Sequence, residues 1–472
     1  IYLRSEFLTS FLNFKRLKLP EMKIFKYSIS AIALSIVAAG CVDKTDPFSI
    51  EAYSDLVINE IAANDGRNYV DTWIEIANNS DQEKDLSELG LYLFDEYFDG
   101  RQIASFEGKK LQPKERLVVS TGDETLNTGF ASTSNFSLVL GLSPDKGIVD
   151  RFELGDKGKL ALPGSYQRMP DMTGEWKNTP AASKGQENRV LTLDNTKPNA
   201  IWLWSSHAGE WIENDGEIMK NMKALGYDHI LLNFSAFETE SKIKTTAKFL
   251  QLAAETGMMV HVWMQAFYQG GNWISPVIDA ENRYDQDLFD RIVAEAKMYV
   301  EEYGAQGIHL DYIRFGGTAH KHNPSEEITA VGAVTECCRQ VREGIDAVGE
   351  NVVLSAAMMA EGSAAYYYGQ NPAKMGKYVD VFMPMIYRYH GGSVKDGDET
   401  CKTRARLFTT VTDRQVWAGI TSYEYEGNNV KSLPAERIRE DAELFANQTD
   451  CSGLVLFRYA LGTFPDVNDL WD

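Results

Sequence analysis

An aspartate, a tyrosine and an arginine stand close together in residues 307–315, whose sequence is GIHLDYIRF. Asp311 stands where the apolar run stops, so its carboxyl group could give or take a proton at the end of a strand. A structural ion pair with Arg314 is the alternative interpretation. Two further acids, Glu361 and Glu424, also end apolar runs. A second carboxyl group would add a base or a nucleophile to the acid.

These acids belong to a series of eight apolar runs, most of them separated by amphipathic helical patterns. The runs are residues 200–206, 229–237, 258–267, 307–315, 351–361, 379–390, 415–424 and 451–460. This alternation predicts β/α repetition with a parallel sheet, and eight strands are the number that closes a barrel. An open doubly wound sheet is the alternative, but no glycine-rich phosphate loop follows the first run. We therefore predict a (β/α)8 TIM barrel over residues 199–472, with a last helix that is missing or very short.

Active sites of such barrels lie at the C-terminal ends of the strands, where the loops converge. Asp311 falls at that end of the fourth strand and, in period-two register, shares a face with His309. Polar and aromatic residues gather at the equivalent ends of the other strands. The candidates for substrate binding are Trp204, Asn233, Trp263, Gln265, Tyr312, Arg314, Tyr387 and Arg458. Aromatic rings that can stack on a sugar ring, beside hydrogen-bonding groups, favour a glycan as the ligand.

Three segments, GIHLDYIRF, VDVFMPMIY and GLVLFRY, resemble glycosyl-hydrolase-like barrels related to bacterial lipoproteins that cut peptidoglycan glycan strands. The resemblance implies that Asp311 is the catalytic acid. Related barrels often have two adjacent acids at this strand end, whereas Tyr312 follows Asp311 here. Glycoside cleavage normally uses two carboxyl groups, so the second is expected to be Glu424 on the seventh run or Glu361 on the fifth. Many retaining sugar-cleaving barrels place the nucleophile on strand seven, which favours Glu424 by analogy.

Residues 55–188 show short alternating strands and turn clusters, a pattern that predicts an antiparallel β-sandwich. The segment resembles the lamin-tail domain, an immunoglobulin-like sandwich found on many secreted bacterial proteins. The residues that carry this resemblance are Asn59, Glu60, Trp73, Glu75, Ser183 and Gly185. The resemblance leaves a spacer or binding role open, and a core position is the favoured explanation of Trp73. A polar linker, residues 189–198, precedes the barrel.

The N-terminal segment predicts the cellular location of the protein. A basic stretch begins at Met22, a short apolar run follows, and small residues lead to Cys41. The apolar run is too short for a permanent transmembrane helix, which needs ~20 residues. The segment resembles a bacterial lipoprotein signal, which implies a lipidated Cys41, although an ordinary secretory signal is the alternative. We expect residues 1–40 to be upstream sequence and signal peptide, residues 41–54 to be a tether, and the protein to be an outer-membrane lipoprotein of a Gram-negative cell envelope.

The composition of the chain limits the classes of partner and cofactor that we expect. The 472 residues carry a formal net charge of −21 that is spread along the chain, so we expect no nucleic-acid partner. No histidine or cysteine spacing predicts a metal site, and no cofactor is predicted. An oxidising compartment would permit a disulfide between Cys401 and Cys451. Protein partners are unknown.

Three hypotheses about function follow. The favoured one is an envelope-anchored glycoside hydrolase that acts on a polysaccharide or on peptidoglycan glycan, with acid/base catalysis centred on Asp311. A glycan-binding surface lipoprotein that has the barrel without turnover is the second. The third is a structural envelope protein whose sandwich binds a protein partner.

Overall fold

A computed structural model of the chain describes residues 49–389 and 396–471, which belong to one compact unit. The predicted signal peptide and the predicted lipidation site Cys41 lie outside the described residues, so both stay predictions. Of the predicted tether, residues 49–54 are described, and Ile50–Tyr53 form a short 3-10 helix. None of the described helices is long and apolar enough to cross a membrane.

The first part of the chain forms antiparallel sheets, which is what its alternating pattern predicts. Its strands are β1 Leu56–Ala62, β2 Trp73–Asn78, β3 Lys84–Asp85, β4 Gly90–Phe94, β5 Asp99–Ser105, β6 Lys110–Leu111, β7 Arg116–Ser120, β8 Ser137–Gly141, β9 Ile148–Glu153, β10 Ser165–Met169 and β11 Glu175–Thr179. One sheet has the order β11-β10-β1-β2-β7, a second has the order β5-β4-β8-β9, and β3 pairs with β6. This arrangement of small sheets does not confirm an immunoglobulin-like sandwich, so the lamin-tail resemblance stays a prediction.

Five of the six residues that carry that resemblance, all except the tryptophan, are joined by hydrogen bonds around two buried acids. The carboxylate of Glu60 accepts hydrogen bonds from the backbone nitrogen and the hydroxyl of Ser183, at 2.8 and 2.7 Å. The carboxylate of Glu75 accepts one from Asn59 Nδ2 and one from the backbone nitrogen of Gly185, both at 2.7 Å. Buried carboxylates need such partners, so the cluster holds the 183–185 segment against the sheet. Burial raises the pKa of Glu75 to about 7.

Eight parallel strands close into a barrel, which confirms the prediction from the eight apolar runs. The barrel strands are β12 Asn199–Leu203, β13 His229–Asn233, β14 Met259–Gln265, β19 Gly307–Asp311, β20 Val353–Met358, β21 Val381–Pro384, β22 Gln415–Thr421 and β25 Gly453–Phe457. Three short hairpins lie outside the barrel. They pair β15 Tyr268–Gln269 with β16 Asn272–Trp273, β17 Val277–Ile278 with β18 Arg283–Tyr284, and β23 Tyr423–Glu426 with β24 Asn429–Ser432.

Helices connect the barrel strands. They are α1 Ala208–Trp211, α2 Glu217–Ala224, α3 Glu240–Thr256, α4 Gln286–Tyr303, α5 Ala330–Asp346, α6 Ala364–Tyr368, α7 Pro372–Met375, α8 Asp398–Thr409 and α9 Ala435–Gln448. Capping residues determine where these helices begin and end, as α4 illustrates. In α4 the Asp285 carboxylate accepts a hydrogen bond from the backbone nitrogen of Leu288 at 3.2 Å, and Gly304 ends the helix at φ 61°.

Within the described residues, no helix follows β25. The C-terminal segment instead returns to the end of α2, where the backbone nitrogen of Val467 donates to the carbonyl of Leu225 at 2.8 Å. The described residues 458–471 thus contain no helix after the eighth barrel strand, as the prediction of a missing or very short last helix expects.

The barrel interior is filled by alternate side chains of its strands. His229 Nδ1 lies 2.9 Å from His261 Nε2, and His309 Nε2 accepts a hydrogen bond from Trp202 Nε1 at 3.3 Å. The other ring nitrogen of His309 lies 2.9 Å from the Ser355 hydroxyl oxygen. Burial lowers the pKa of both His261 and His309 to about 3. His309 is therefore a neutral, hydrogen-bonded residue of the barrel interior, and such a residue does not suit the role of a general acid.

The segment predicted as a linker, residues 189–198, packs against the barrel. Leu191 is 6% exposed and lies in one apolar cluster with the interior residues Val353 and Trp417. Whether the chain divides into domains at this segment stays a prediction. Cys401 and Cys451 are free, buried thiols, so the disulfide that an oxidising compartment would permit is not formed.

Candidate active site

Asp311 ends β19 at the barrel mouth, by which we mean the C-terminal ends of the eight barrel strands and the loops that follow them. The residue is half-buried, and two donors hold its carboxyl group. Trp263 Nε1 donates to Oδ2 at 2.9 Å, and the backbone nitrogen of Tyr312 donates to Oδ1 at 2.7 Å. Among the described residues, Asp311 has no ion pair, so the interpretation as half of a structural ion pair with Arg314 is not supported.

Two opposing influences act on the protonation of Asp311. Burial raises the pKa of this carboxyl group, whereas the hydrogen bonds from Trp263 and Tyr312 and the positive charge of Arg314 lower it. The net direction is upward because burial is the largest influence. A carboxyl group that holds its proton more readily than usual suits a general acid.

Aromatic rings surround this carboxyl group. The Trp263 ring lies 4.6 Å from the ring of Trp204, centroid to centroid, and the Tyr387 ring stacks on Phe457 at 5.5 Å. Burial and the nearby charge of Asp311 raise the pKa of the Tyr387 hydroxyl, which therefore stays neutral. Such rings offer flat apolar faces next to a carboxyl group, an arrangement that suits the binding of a sugar ring.

The loop after β19 extends the aromatic surface. Tyr312 has a left-handed backbone at φ 51°, which turns the chain sharply behind Asp311. Its ring stacks on Tyr268 at 4.7 Å with an interplanar angle of 17°, and Trp273 contacts it edge-on at 5.5 Å. The guanidinium of Arg314 lies 4.6 Å from the centre of the Trp273 ring. Tyr312 and Arg314 thus belong to the loop and not to the interior face that carries Asp311.

The two candidates for a second carboxyl group have different surroundings. Glu361 lies in the loop after β20, is exposed, and accepts a hydrogen bond of 3.5 Å from the Tyr368 hydroxyl. It acts electrostatically on Arg314, as does Asp311. Glu424 does not lie on the seventh barrel strand, which ends at Thr421. It lies in the β23–β24 hairpin, where Lys431 Nζ is 3.3 Å from its Oε1.

The other predicted binding residues are spread around the mouth. Gln265 ends β14 directly beside Asp311 in the strand register. Asn233 ends β13 but is buried, and its Oδ1 accepts a hydrogen bond from the Ser235 hydroxyl at 2.6 Å, so it also caps the next turn. Arg458 directly follows β25. Burial raises the pKa of the neighbouring Tyr423 to about 12, and the charge of Arg458 opposes this rise. Their roles in binding stay predictions.

Three aromatic residues of this mouth are absent from the candidates that strand ends alone select. Tyr268 and Trp273 face each other across the short β15–β16 hairpin, and Tyr368 ends α6 beside Arg314. The first pair carries a usable signal, because the sequence YQGGNW places two glycines between flanking residues in the pattern of a two-residue hairpin turn. No group of three or more histidine, cysteine or acidic residues in the described part of the chain is arranged to hold a metal ion.

Residues 262–413 match the family DUF4015, described as "Putative glycosyl hydrolase domain". The matched residues include Asp311 and Glu361 and end before Glu424. A comparison with curated proteins finds no match.

Several solved structures are similar to this chain in fold. The Bacillus cereus spore cortex-lytic enzyme SleL is 13% identical, with 61% of this chain and 76% of that chain covered and a TM-score of 0.43. A chitinase from Chromobacterium violaceum is 12% identical, with 57% and 96% covered and a TM-score of 0.42. The chitinase domain of the spore coat protein CotE from Clostridium difficile is 16% identical, with 54% and 74% covered and a TM-score of 0.37.

Proposed function

We propose that this protein is a glycoside hydrolase that acts on a polysaccharide or on peptidoglycan glycan, with Asp311 as its general acid. One observation carries the proposal: Asp311 is a half-buried acid that has no ion pair within the described residues and lies among aromatic rings at the mouth of a closed barrel. The match of residues 262–413 to a glycosyl hydrolase family supports it.

In the proposed reaction, Asp311 transfers its proton to the glycosidic oxygen as the bond between that oxygen and the anomeric carbon breaks. The leaving sugar departs as an alcohol, and the hydrogen bonds from Trp263 and Tyr312 stabilise the carboxylate that Asp311 becomes. A second carboxylate either attacks the anomeric carbon or takes a proton from the water that attacks it.

We assign the second carboxylate to Glu361 in preference to Glu424. Glu361 is exposed, and it acts electrostatically on Arg314, as Asp311 does. No ion pair holds Glu361 within the described residues. Glu424 is paired with Lys431 on a hairpin outside the barrel. This assignment departs from the analogy with strand seven, because that analogy assumed a position on the strand that Glu424 does not occupy.

The lipidated Cys41 and the outer-membrane location are part of the same proposal and rest on the leader sequence alone. They are tested separately, by labelling cells with a fatty acid analogue and comparing the native chain with Cys41→Ala. Incorporation of label into the native chain but not into the variant supports the anchor.

The test of the catalytic proposal is product formation. The mature protein is incubated with a panel of neutral and acidic polysaccharides and with peptidoglycan strands, and new reducing ends are measured. We expect Asp311→Asn to lower the rate by about 10²- to 10⁴-fold, which is the usual contribution of a general acid. Asp413→Asn is the matched control, since this exposed residue precedes β22 at the opposite end of the barrel.

A glycan-binding protein without turnover is the second candidate function. The ion pair between Glu424 and Lys431 favours it, because it leaves one fewer free carboxylate for catalysis. Binding to a glycan of the panel without any products, in the native chain as in Asp311→Asn, would establish this second function and refute the first.

A further inference from the structure

Two arginines at the barrel mouth have no ion pair within the described residues. Arg314 follows β19 and Arg458 follows β25, the fourth and eighth strands of the barrel, so they stand on opposite sides of the mouth. Most other described arginines are ion-paired, for example Arg342 with Asp380 at 3.0 Å. In a chain of formal net charge −21, two unpaired guanidinium groups at one mouth need an explanation.

The surroundings of Arg314 leave most of its donors unused. A guanidinium has five N–H donors. In the part of the chain that the structure describes, Arg314 makes one hydrogen bond, from Nη1 to the carbonyl of Phe315 at 3.2 Å, and its buried Nε has no partner. Aromatic rings stand around the group, with ring centres 4.6 Å away at Trp273 and 5.3 Å away at Tyr368. The rings hold the cation in place and shield it from water, which strengthens any charge-assisted hydrogen bond that it makes.

We propose that Arg314 and Arg458 bind carboxylate groups on the sugar residues of the substrate, so that the glycan that enters this mouth is an acidic polysaccharide. The inference rests on the proposed function and deepens it. A carboxylate matches the fork of a guanidinium better than a sugar hydroxyl does, because two parallel N–H···O bonds form at once. Because the arginines lie on opposite sides of the mouth, we place one carboxylate on each side of the bond that is cleaved.

A simpler role for Arg314 is to balance the charges of Asp311 and Glu361, on which it acts electrostatically. That role would change the rate on every substrate by the same factor, whether or not the sugar carries a carboxylate. The ratio of kcat/KM between an acidic glycan and its carboxyl-reduced form therefore separates the two roles, because any effect on Asp311 or Glu361 cancels in the ratio.

The experiment uses two probes that present carboxylates from different sources. One is a set of oligosaccharides that contain glucuronate, and the other is peptidoglycan glycan strands freed of their peptides, which carry lactyl carboxylates. Each probe is tested intact and carboxyl-reduced against the full-length native protein, Arg314→Met and Arg458→Met. Arg406→Met is the matched control. Arg406 is exposed on α8, so this substitution removes one positive charge at a position outside the mouth. Binding of the same probes is measured with Asp311→Asn, alone and combined with each arginine variant.

We expect the native protein to prefer one intact probe over its reduced form by at least about 100-fold, which is about tenfold for each of the two arginines and the lower range for a charge-assisted hydrogen bond. Arg314→Met and Arg458→Met should each lower this ratio by about tenfold, whereas Arg406→Met should leave it unchanged. The probe that shows the effect identifies the source of the carboxylate.

Equal kcat/KM for intact and reduced probes would overturn the inference and leave the hydrolase intact. A preference that Arg314→Met leaves as large as in the native protein would overturn the assignment to that arginine, and the same holds for Arg458→Met. If no probe is cleaved, the proposed function fails, and the binding ratios in Asp311→Asn still decide whether the arginines recognise carboxylates.

Discussion

The hydrogen bond from Trp263 to Asp311 gives a sharp test of the catalytic proposal. In Trp263→Phe an aromatic ring remains to pack against Trp204, but the N–H that donates to Oδ2 at 2.9 Å is lost. The bond favours the ionised carboxylate, because the acceptor is charged in that state. Its loss should therefore raise the pKa of Asp311 further.

The size of the effect follows from the kind of bond that is removed. A hydrogen bond to a charged group contributes about 1.5–3 kcal/mol. The ionised form of Asp311 loses this amount, whereas the protonated form loses less. The bond from the Tyr312 backbone nitrogen to Oδ1 is untouched in the variant, so it still supports the carboxylate.

The assay is the pH dependence of kcat/KM, which reports ionisations of the free enzyme. A general acid must be protonated, so activity falls as the pH rises through the pKa of Asp311. In Trp263→Phe this alkaline limb should move to higher pH, and the ratio of variant to native activity should increase with pH. A limb that stays in place or moves to lower pH would refute the assignment of the limb to Asp311. So would a limb that persists unchanged in the residual activity of Asp311→Asn.

Two further predictions concern other carboxyl groups. Glu361→Gln should lower kcat by at least about 100-fold, whereas Glu424→Gln should change it less than about tenfold; the reverse order would return the second catalytic role to the hairpin. For Glu75, burial raises the folded-state pKa from 4.5 to about 7, so the native state penalises the ionised form. The free energy of unfolding should therefore fall by roughly 3 kcal/mol as the pH rises from about 4.5 to about 7. Denaturant titrations across this pH range measure the free energy of unfolding. Its change with pH should be smaller in Glu75→Gln than in the native protein, and an equal change in both would contradict the argument.

The sequence is informative about the barrel for a physical reason. Buried parallel strands are apolar along their whole length, so eight such runs separated by amphipathic helices mark the strands directly. The end of β19 could be predicted in the same way, because Asp311 interrupts its run. Period-two register also separates the interior face of Asp311 from the loop residues Tyr312 and Arg314.

The same pattern is weaker at the ends of other strands. The seventh apolar run continues through Thr421 into residues that look equally strand-like, because β23 is itself a strand, although it leaves the barrel. Sequence position alone therefore assigns Glu424 to the wrong element, because it lies on β23 and not on β22. The ion pair with Lys431 and the aromatic enclosure of Arg314 depend on contacts between distant loops, and such contacts leave no periodic signal in the sequence.

The position of Leu191 determines where the chain can be cut if the barrel is to be fused to another protein. Its side chain covers interior residues that include Val353 and Trp417, although it precedes the first barrel strand. A fragment that starts at Asn199 would open that apolar layer to water and lose about 1.5–3 kcal/mol of burial from this one side chain. A fusion protein that contains the barrel should therefore keep residues 189–198, because Leu191 in this segment covers apolar side chains of the barrel interior.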